Sequence, residues 1–464
     1  MTVLPVTDTI AAIATAPGVG GIGIIRISGP EALAILRTLF VPRRPRDRFV
    51  SHMLYLGTVV DPEGQVLDEV MAVYMRGPHS YTGEDVVELH CHGAFLVLQE
   101  VLRLILEQGA RAAEPGEFTK RAFLAGRIDL TRAEAIIDLL QAQTAKSVHL
   151  AANHLQGELF NRMEPIRLSL VGLLARLEVA IDFPEEDVEL FDRELAGRQV
   201  QDEVMAPLEQ LLAMAEQGKL VREGLHAVLA GLPNVGKSSL LNALLREERA
   251  LVTPVPGTTR DTIEEQIALN GIPVRLVDTA GIRRHGDPVE SLGIDRARQK
   301  LDEADLVLFL VDARLGMGEA EQELYQSVAA KRHIVVINKQ DLVSAERLAG
   351  LVAQFPGERV VTVSARKGTG IEVLQETMYE AIVTGTGEGE GEPLSCAPNT
   401  RHRAVLQKTL AACQHFIQSL ESGAPIDLLA VDVQAALHFL GDITGTTSSD
   451  EVLDAVFSRF CIGK

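Results

Sequence analysis

Apolar positions along the chain recur at two intervals, and the places where the interval changes divide it. Through residues 1–118 the alternation of apolar and polar side chains predicts strands at Ile24–Ser28, Ser51–Val60, Val66–Met75 and Asp85–His92, because successive strand residues face opposite ways. Three- and four-residue spacing predicts helices over Glu31–Phe40 and Phe95–Gln108. From Pro115-Gly-Glu-Phe-Thr119 the helical spacing dominates, over Arg121–Ala125, Thr131–Gln156, Leu159–Ala180 and Leu195–Gln217. Thr131-Arg-Ala-Glu134 reads as a capping box, and Asp182-Phe-Pro-Glu-Glu-Asp-Val-Glu-Leu190 breaks the run. Residues 221–383 change again: six short strand-like runs alternate with helical stretches, the pattern of a doubly wound parallel sheet. The acidic glycine repeat Thr384-Gly-Thr-Gly-Glu-Gly-Glu-Gly-Glu392 reads as a linker, followed by helices over Arg403–Glu421, Ile426–Leu440 and Asp450–Phe460. That last stretch is a thin core alone. It is expected to pack on the earlier helices, with the α/β region inserted in one helical domain, giving divisions at 1–118, 119–220, 221–383 and 384–464.

Composition sharpens this picture in three ways. A chain of 464 residues exceeds a single core and is expected to hold two or three domains. A formal charge of −20 argues against a protein that coats nucleic acid, and the basic loop Arg43-Arg-Pro-Arg-Asp-Arg48 reads as a solvated exception. Cys91, Cys396, Cys413 and Cys461 have no metal spacing, and no apolar run reaches about 18 residues, so a cytoplasmic protein without a membrane span is expected.

The chemistry concentrates in the α/β region. Gly231-Leu-Pro-Asn-Val-Gly-Lys-Ser238 follows the apolar run Ala227-Val-Leu-Ala230 and precedes a helical pattern, the setting of a phosphate-binding loop. Within Asn234-Val235-Gly236-Lys237-Ser238-Ser239 the backbone can cradle phosphates, Lys237 can reach the outer ones, and Ser238 can ligate magnesium. Asn338-Lys339-Gln-Asp341 closes the run His333–Ile337, and an aspartate there accepts from guanine's N1–H and amine, a donor pair that adenine lacks. Thr259, in Pro256-Gly-Thr-Thr-Arg-Asp261, can reach magnesium; Asp278-Thr279-Ala280-Gly281 can hold the metal's water and sense the γ-phosphate; Ser364-Ala365 completes the base pocket. GTP with Mg2+ is the ligand this order implies.

Two other matches fail on geometry. Gly18-Val-Gly-Gly-Ile-Gly23 spells a dinucleotide fingerprint, but a strand pattern follows where that motif needs a helix. His90-Cys91-His92 on a strand puts two histidines on one face and the thiol on the other, one ligand short of a zinc site.

Taken together, Gly20-Gly-Ile-Gly-Ile-Ile-Arg-Ile-Ser-Gly29, Tyr81-Thr-Gly-Glu-Asp85, Pro115-Gly-Glu-Phe-Thr119 with Arg121-Ala-Phe123, the inserted nucleotide motifs and the terminal Cys461-Ile-Gly-Lys464 resemble the tRNA modification GTPase MnmE (TrmE) family over nearly the full length. The resemblance implies an N-terminal α+β domain, a helical domain and an inserted Ras-like doubly wound α/β GTPase domain. It implies a GTP hydrolase that, with the FAD-containing partner MnmG in a heterotetramer, adds a (carboxymethyl)aminomethyl group at C5 of the wobble uridine of certain tRNAs. The family forms a homodimer through the N-terminal domain, which binds a tetrahydrofolate derivative, 5-formyl- or methylene-tetrahydrofolate. Carried over residue by residue, folate contacts fall on Arg26, Glu88, Arg127 and Lys464. Departures are Ala125-Gly-Arg127 where the family has Asn-Gly-Lys, and Gly93-Ala94 where it has Gly-Gly. Ile282 stands where Ras-like enzymes place a glutamine, and the resemblance assigns the hydrolytic role to Glu290 through a bridging water. It also implies a stimulating potassium ion held by Asn234, Thr253, Val255 and Thr258, with G-domain dimerisation across the nucleotides. Cys461 can act as a thiolate on a uracil carbon or pack; Gly463 and Lys464 exclude a prenylation box. The alternatives from other classes are a signalling or ribosome-assembly GTPase with partner-binding helices, and a folate enzyme with a regulatory GTPase.

Overall fold

The computed structural model describes residues 8–183, 191–247, 264–278, 301–383 and 394–464. The chain groups into two compact units, one of residues 1–137, 155–193 and 411–464, the other of 138–154 and 194–410.

In the first unit, β1 (Ile10–Ile13), β2 (Gly20–Ser28), β3 (Phe40–Pro42), β4 (Met53–Val60), β5 (Val66–Met75), β6 (Val86–Gly93) and β7 (Arg111–Ala112) form one sheet, ordered β3-β4-β5-β6-β2-β1-β7. Every pairing is antiparallel except β1 with β7. The alternation read from sequence is the alternation of faces. Ile25, Ile27, Val87, Leu89 and Cys91 point inward onto the helices Ala32–Leu39 and Phe95–Glu107, against Leu36, Val101, Leu104 and Ile105. Arg26, Glu88 and His90 take the intervening positions, so they face the other way. Burial pushes the Cys91 thiol up to about 12, while His92 Nδ1 lies 2.6 Å from Asp68. Strand β2 begins at Gly20, inside Gly18-Val-Gly-Gly-Ile-Gly23, and continues through the apolar pattern that follows, where a dinucleotide fingerprint would need a helix. Also in this unit, the helices Glu158–Asp182 and Ile426–Thr444 pack together, and the C-terminal helix Asp450–Phe457 buries Leu453, Val456 and Phe457 against Leu130, Ala133 and Ile137.

Three helix expectations need correction. The pattern over Thr131–Gln156 is two helices, Leu130–Gln141 and Ala145–Gln156. Ser147 Oγ accepts the Thr144 amide at 3.0 Å and Thr144 Oγ1 accepts the Ser147 amide at 3.2 Å, a reciprocal cap that starts a new helix inside an unbroken apolar rhythm. The capping box at Thr131 also gives way: Asp129 Oδ1 accepts the Arg132 amide at 3.1 Å and the Thr131 hydroxyl, so the helix is capped by Asp129. A charged acceptor two residues earlier outcompetes the hydroxyl. The helical stretch expected over Leu195–Gln217 runs from Arg193 to Glu223, with π-helical turns at Val200–Met205.

The second unit carries the sheet β13-β12-β11-β8-β10-β9, built from β8 (Leu225–Ala230), β9 (Glu264–Leu269), β10 (Ile272–Asp278), β11 (Leu306–Asp312), β12 (His333–Asn338) and β13 (Val360–Val363). All neighbours are parallel except β9 and β10. That exception lies in a two-residue turn, Asn270-Gly271, both at positive φ (47° and 82°), the backbone of a hairpin that matches strand twist. Every residue of β11 and β12 is buried, since helices cover both faces of a central parallel strand. Thr144 Oγ1 donates to Gly271 O at 2.8 Å, tying the helix Ala145–Gln156 to this hairpin. No helix among the described residues is long and apolar enough to cross a membrane.

Candidate functional site

Strand β8 ends at Ala230 and the helix Lys237–Glu247 begins seven residues later, so the loop between them presents its amides at a helix N-terminus. Lys237 is buried and its Nζ donates to Gly231 O at 2.8 Å and Leu232 O at 2.9 Å, folding the side chain back along the loop. Gly236 has φ 102°, and a Cβ there would stand 2.3 Å from Asn338 Nδ2. Only glycine satisfies both conditions. Ser238 and Ser239 follow in the first turn of the helix.

Asn338 joins three loops. Its Nδ2 donates to Val235 O at 2.9 Å, and its Oδ1 accepts from the amides of Lys339 at 2.7 Å and Ala365 at 3.1 Å. The phosphate loop, the Asn338–Asp341 loop and the Ser364-Ala365 turn are thereby fixed to one side chain that is 2% exposed. Asp341 Oδ1 accepts the Ser364 hydroxyl at 2.8 Å, and Lys367 Nζ stands 3.7 Å from its other oxygen. The Ser364 hydroxyl and the nearby Lys367 hold the Asp341 carboxyl below its ordinary range. It stays an acceptor, as recognition of a donor pair requires.

Sequence reasoning missed the residue beneath this arrangement. Asp312, 2% exposed at the end of β11, accepts Lys339 Nζ at 2.6 Å and Arg314 Nη2 at 2.8 Å. Burial alone would raise its carboxyl, but the bonds from Arg314 and Lys339 overcome this and hold it well below the carboxylate range. Lys339, itself at φ 65°, also donates to Asn234 O at 2.7 Å, so its stem lies across the phosphate loop. The available signal was an acid closing a seven-residue apolar strand, where a charge needs a partner. Asp278 ends β10 at a register opposite Leu229. Thr253, Val255, Thr258, Thr259, Thr279, Ala280, Gly281 and Glu290 lie outside the described residues.

The first unit holds a second polar cluster. Arg26 on β2 and Glu88 on β6 are register partners, and Arg26 Nε donates to Glu88 Oε1 at 2.8 Å. Arg26 Nη1 donates to Gly463 O at 3.2 Å, which brings the C-terminal tail to the pair. The guanidinium lies 5.5 Å from the Tyr81 ring centroid and 5.7 Å from that of Phe118. Burial lowers the Lys464 ammonium below its ordinary value, and the Arg26 charge adds to this. Three of the four folate candidates therefore converge. Arg127 is exposed beyond the helix Glu117–Leu124, its stem near Gly83 of the loop that carries Tyr81. Cys461 is an exposed free thiol two residues from the Gly463 carbonyl.

The two family motifs are the frame of this cluster. In Tyr81-Thr-Gly-Glu-Asp85, Tyr81 bonds Thr119 Oγ1 at 2.9 Å, Thr82 bonds Ser28 at 2.7 Å, and Asp85 accepts from Tyr74 at 2.8 Å. Glu84 accepts from Ser28 at 2.7 Å and pairs with Arg121 at 3.2 Å. Arg121, 4% exposed, also binds Asp8 at 2.9 Å and Glu117 at 3.0 Å. No alternation or spacing announced that network.

The family model described as "GTP-binding protein TrmE N-terminus" matches residues 9–127, and that described as "MnmE helical domain" matches residues 130–461. Proteins named tRNA modification GTPase MnmE from Desulfotalea psychrophila and Carboxydothermus hydrogenoformans are 51% and 46% identical, each over 98% of this chain and over 98% and 99% of their own. That of Geotalea uraniireducens is 47% identical over 99% of this chain and 100% of its own. Matches of this extent, reaching across the motifs of both units, place the chain in the tRNA modification GTPase MnmE family.

Proposed function

We propose that this protein is a GTP hydrolase acting in tRNA modification, a cytoplasmic homodimer that works with FAD-containing MnmG on the C5 position of the wobble uridine. The observation that carries the nucleotide half is the convergence of Lys237, Asn338, Asp341 and Ser364, an acceptor for guanine fixed to the loop that would hold its phosphates. Mg2+ would sit between Ser238 and Thr259, where hydroxyls of a helix N-terminus and a following loop suit a hard cation. Potassium would be held by Asn234 with Thr253, Val255 and Thr258, and Glu290 would orient the attacking water. The G region 221–383 is read as an insertion in the helical region 119–220 and 384–464.

The Arg26, Glu88 and Lys464 cluster fits a folate, whose glutamate carboxylates suit guanidinium and ammonium groups and whose pterin donors suit Glu88. When bound, such a cofactor supplies the one-carbon unit. Arg26 and Glu88 orient it, and Cys461 stands on the tail beside them. The homodimer reading draws on an exposed apolar face of the same sheet, where Leu54, Leu56 and Met71 are 51%, 42% and 38% exposed.

The test is complementation of cells lacking the gene, with wobble nucleosides measured by mass spectrometry. Wild type restores the modified uridine, and Glu290→Ala and Cys461→Ser do not. An unchanged nucleoside profile on removing the gene refutes the tRNA assignment and favours a signalling or ribosome-assembly role.

A further inference from the structure

Arg26 is constrained from every side. Glu88 takes its Nε, the Gly463 carbonyl takes Nη1, and two aromatic faces flank the guanidinium carbon. Phe118 is fully buried in the core and fixed there. Tyr81 is half-buried, and its hydroxyl bonds that of Thr119, the residue after Phe118, while its ring lies against the Arg26 guanidinium. The tail arrives equally constrained: a Cβ at Gly463 would stand 2.5 Å from Ile13 O, so the chain passes against β1 at van der Waals contact. A cation over an aromatic face is attracted by the ring quadrupole, more strongly where water is excluded, and Arg26 is only 17% exposed.

We infer that Tyr81 is a positioning residue for the Arg26 site, its ring fixing the plane of the guanidinium so that one arginine serves both the folate and the C-terminal tail. This rests on the folate reading above and extends it to a residue that reading did not include. Docking of the tail and binding of the ligand then draw on the same orientation, and loss of the ring weakens both. Without the ring, Arg26 keeps its charge and its Glu88 partner but gains rotational freedom, so the Gly463 bond is made less often. Lys464, half-buried beside Arg26, becomes accessible in proportion.

The experiment uses the chain ending at Lys464 and two readouts. Carboxypeptidase B releases a C-terminal lysine, so the rate of Lys464 release, followed by intact mass, reports tail docking; titration with 5-formyl-tetrahydrofolate reports the ligand. Tyr81→Leu is expected to speed Lys464 release about tenfold and to weaken folate binding about tenfold, as loss of a desolvated cation–π contact implies. Tyr81→Phe, which keeps the ring, is expected to stay within about twofold of wild type in both. Thermal unfolding checks each fold, and Tyr81→Met, whose unbranched flexible chain can follow the space of the ring, replaces Tyr81→Leu if the latter unfolds early. Wild-type release rates and affinity in the ring-less variant overturn the inference, as does equal damage by Tyr81→Phe. If the wild-type protein binds no folate, the folate reading falls by itself, and Lys464 release still decides whether Tyr81 orients Arg26.

Discussion

Asn338 shows how much one side chain can carry when its donor and acceptor are not interchangeable. Asn338→Asp changes few atoms, yet it replaces the amide that serves Val235 O with a carboxylate oxygen 2.9 Å from that carbonyl, in a place 2% exposed. Two acceptors then face each other without water, and the expected cost is about 2 to 4 kcal/mol of stability. Guanine nucleotide affinity should fall with it, since three loops lose their common strut; urea unfolding and nucleotide titration measure the two effects, and unchanged values in both would remove the strut. Arg121 makes the corresponding case in the first unit. Burial opposes ionisation of Asp8 and Glu117, but Arg111 and Arg121 together outweigh it and lower both carboxyls. A lowered native value means that the stabilisation is complete above the unfolded carboxylate range near pH 4 and is lost as pH falls below it. Arg121→Met is expected to cost about 3 kcal/mol at neutral pH and to flatten this acid dependence, seen as a urea midpoint that changes less between pH 5 and pH 3 than in wild type. Such residues were hidden in the sequence because an isolated Asp or Arg has no period; only the fold brings Asp8, Glu84 and Glu117 to one guanidinium.

At the scale of elements, periodicity spoke for faces and remained silent on ends. The alternation in β2, β5 and β6 gave the buried and outward positions correctly, because one residue of slip would turn Leu89 and Cys91 outward. The four-residue rhythm over 131–156 could not show the break at Thr144, since an apolar stripe continues through a kink that polar caps create. Asn270-Gly271 carries a hairpin signal of its own, but the surrounding alternation of strand and helix favours a parallel sheet and masks the one antiparallel pair. Capping gives the element-scale prediction. Asp129→Ala removes the acceptor for the Arg132 amide and for the Thr131 hydroxyl, and it should destabilise the first unit by about 1 kcal/mol. Urea melts of the variant and the wild type measure this, and an unchanged midpoint would remove Asp129 as the cap.

For the molecule as a whole, the loops that carry Lys237, Asn338, Asp341 and Ser364 were visible as motifs because they are local in sequence and each follows a strand, and the structure brings them together. The partition of the helices was not, since a periodic stripe states that a face is buried and leaves open against what. Residues 138–154 group with the nucleotide-binding unit and 155–193 with the other, a division made by contacts such as Thr144 with Gly271 that lie far apart in the chain. Each unit has its own buried core, one on both faces of the six-stranded sheet and one beneath the seven-stranded sheet, so each can respond to its own ligand. A ligand that binds only the native form of one unit stabilises that unit by about 2.7 kcal/mol at a hundredfold excess over its dissociation constant. Differential scanning calorimetry of the full chain is therefore expected to resolve two transitions. GDP with Mg2+ should raise one of them, the one that Asn338→Asp lowers, and 5-formyl-tetrahydrofolate should raise the other, the one that Arg121→Met lowers. A single transition moved equally by both ligands would show that the two cores unfold as one, and the two sites would then share a stability that their separate hydrogen-bond networks do not imply.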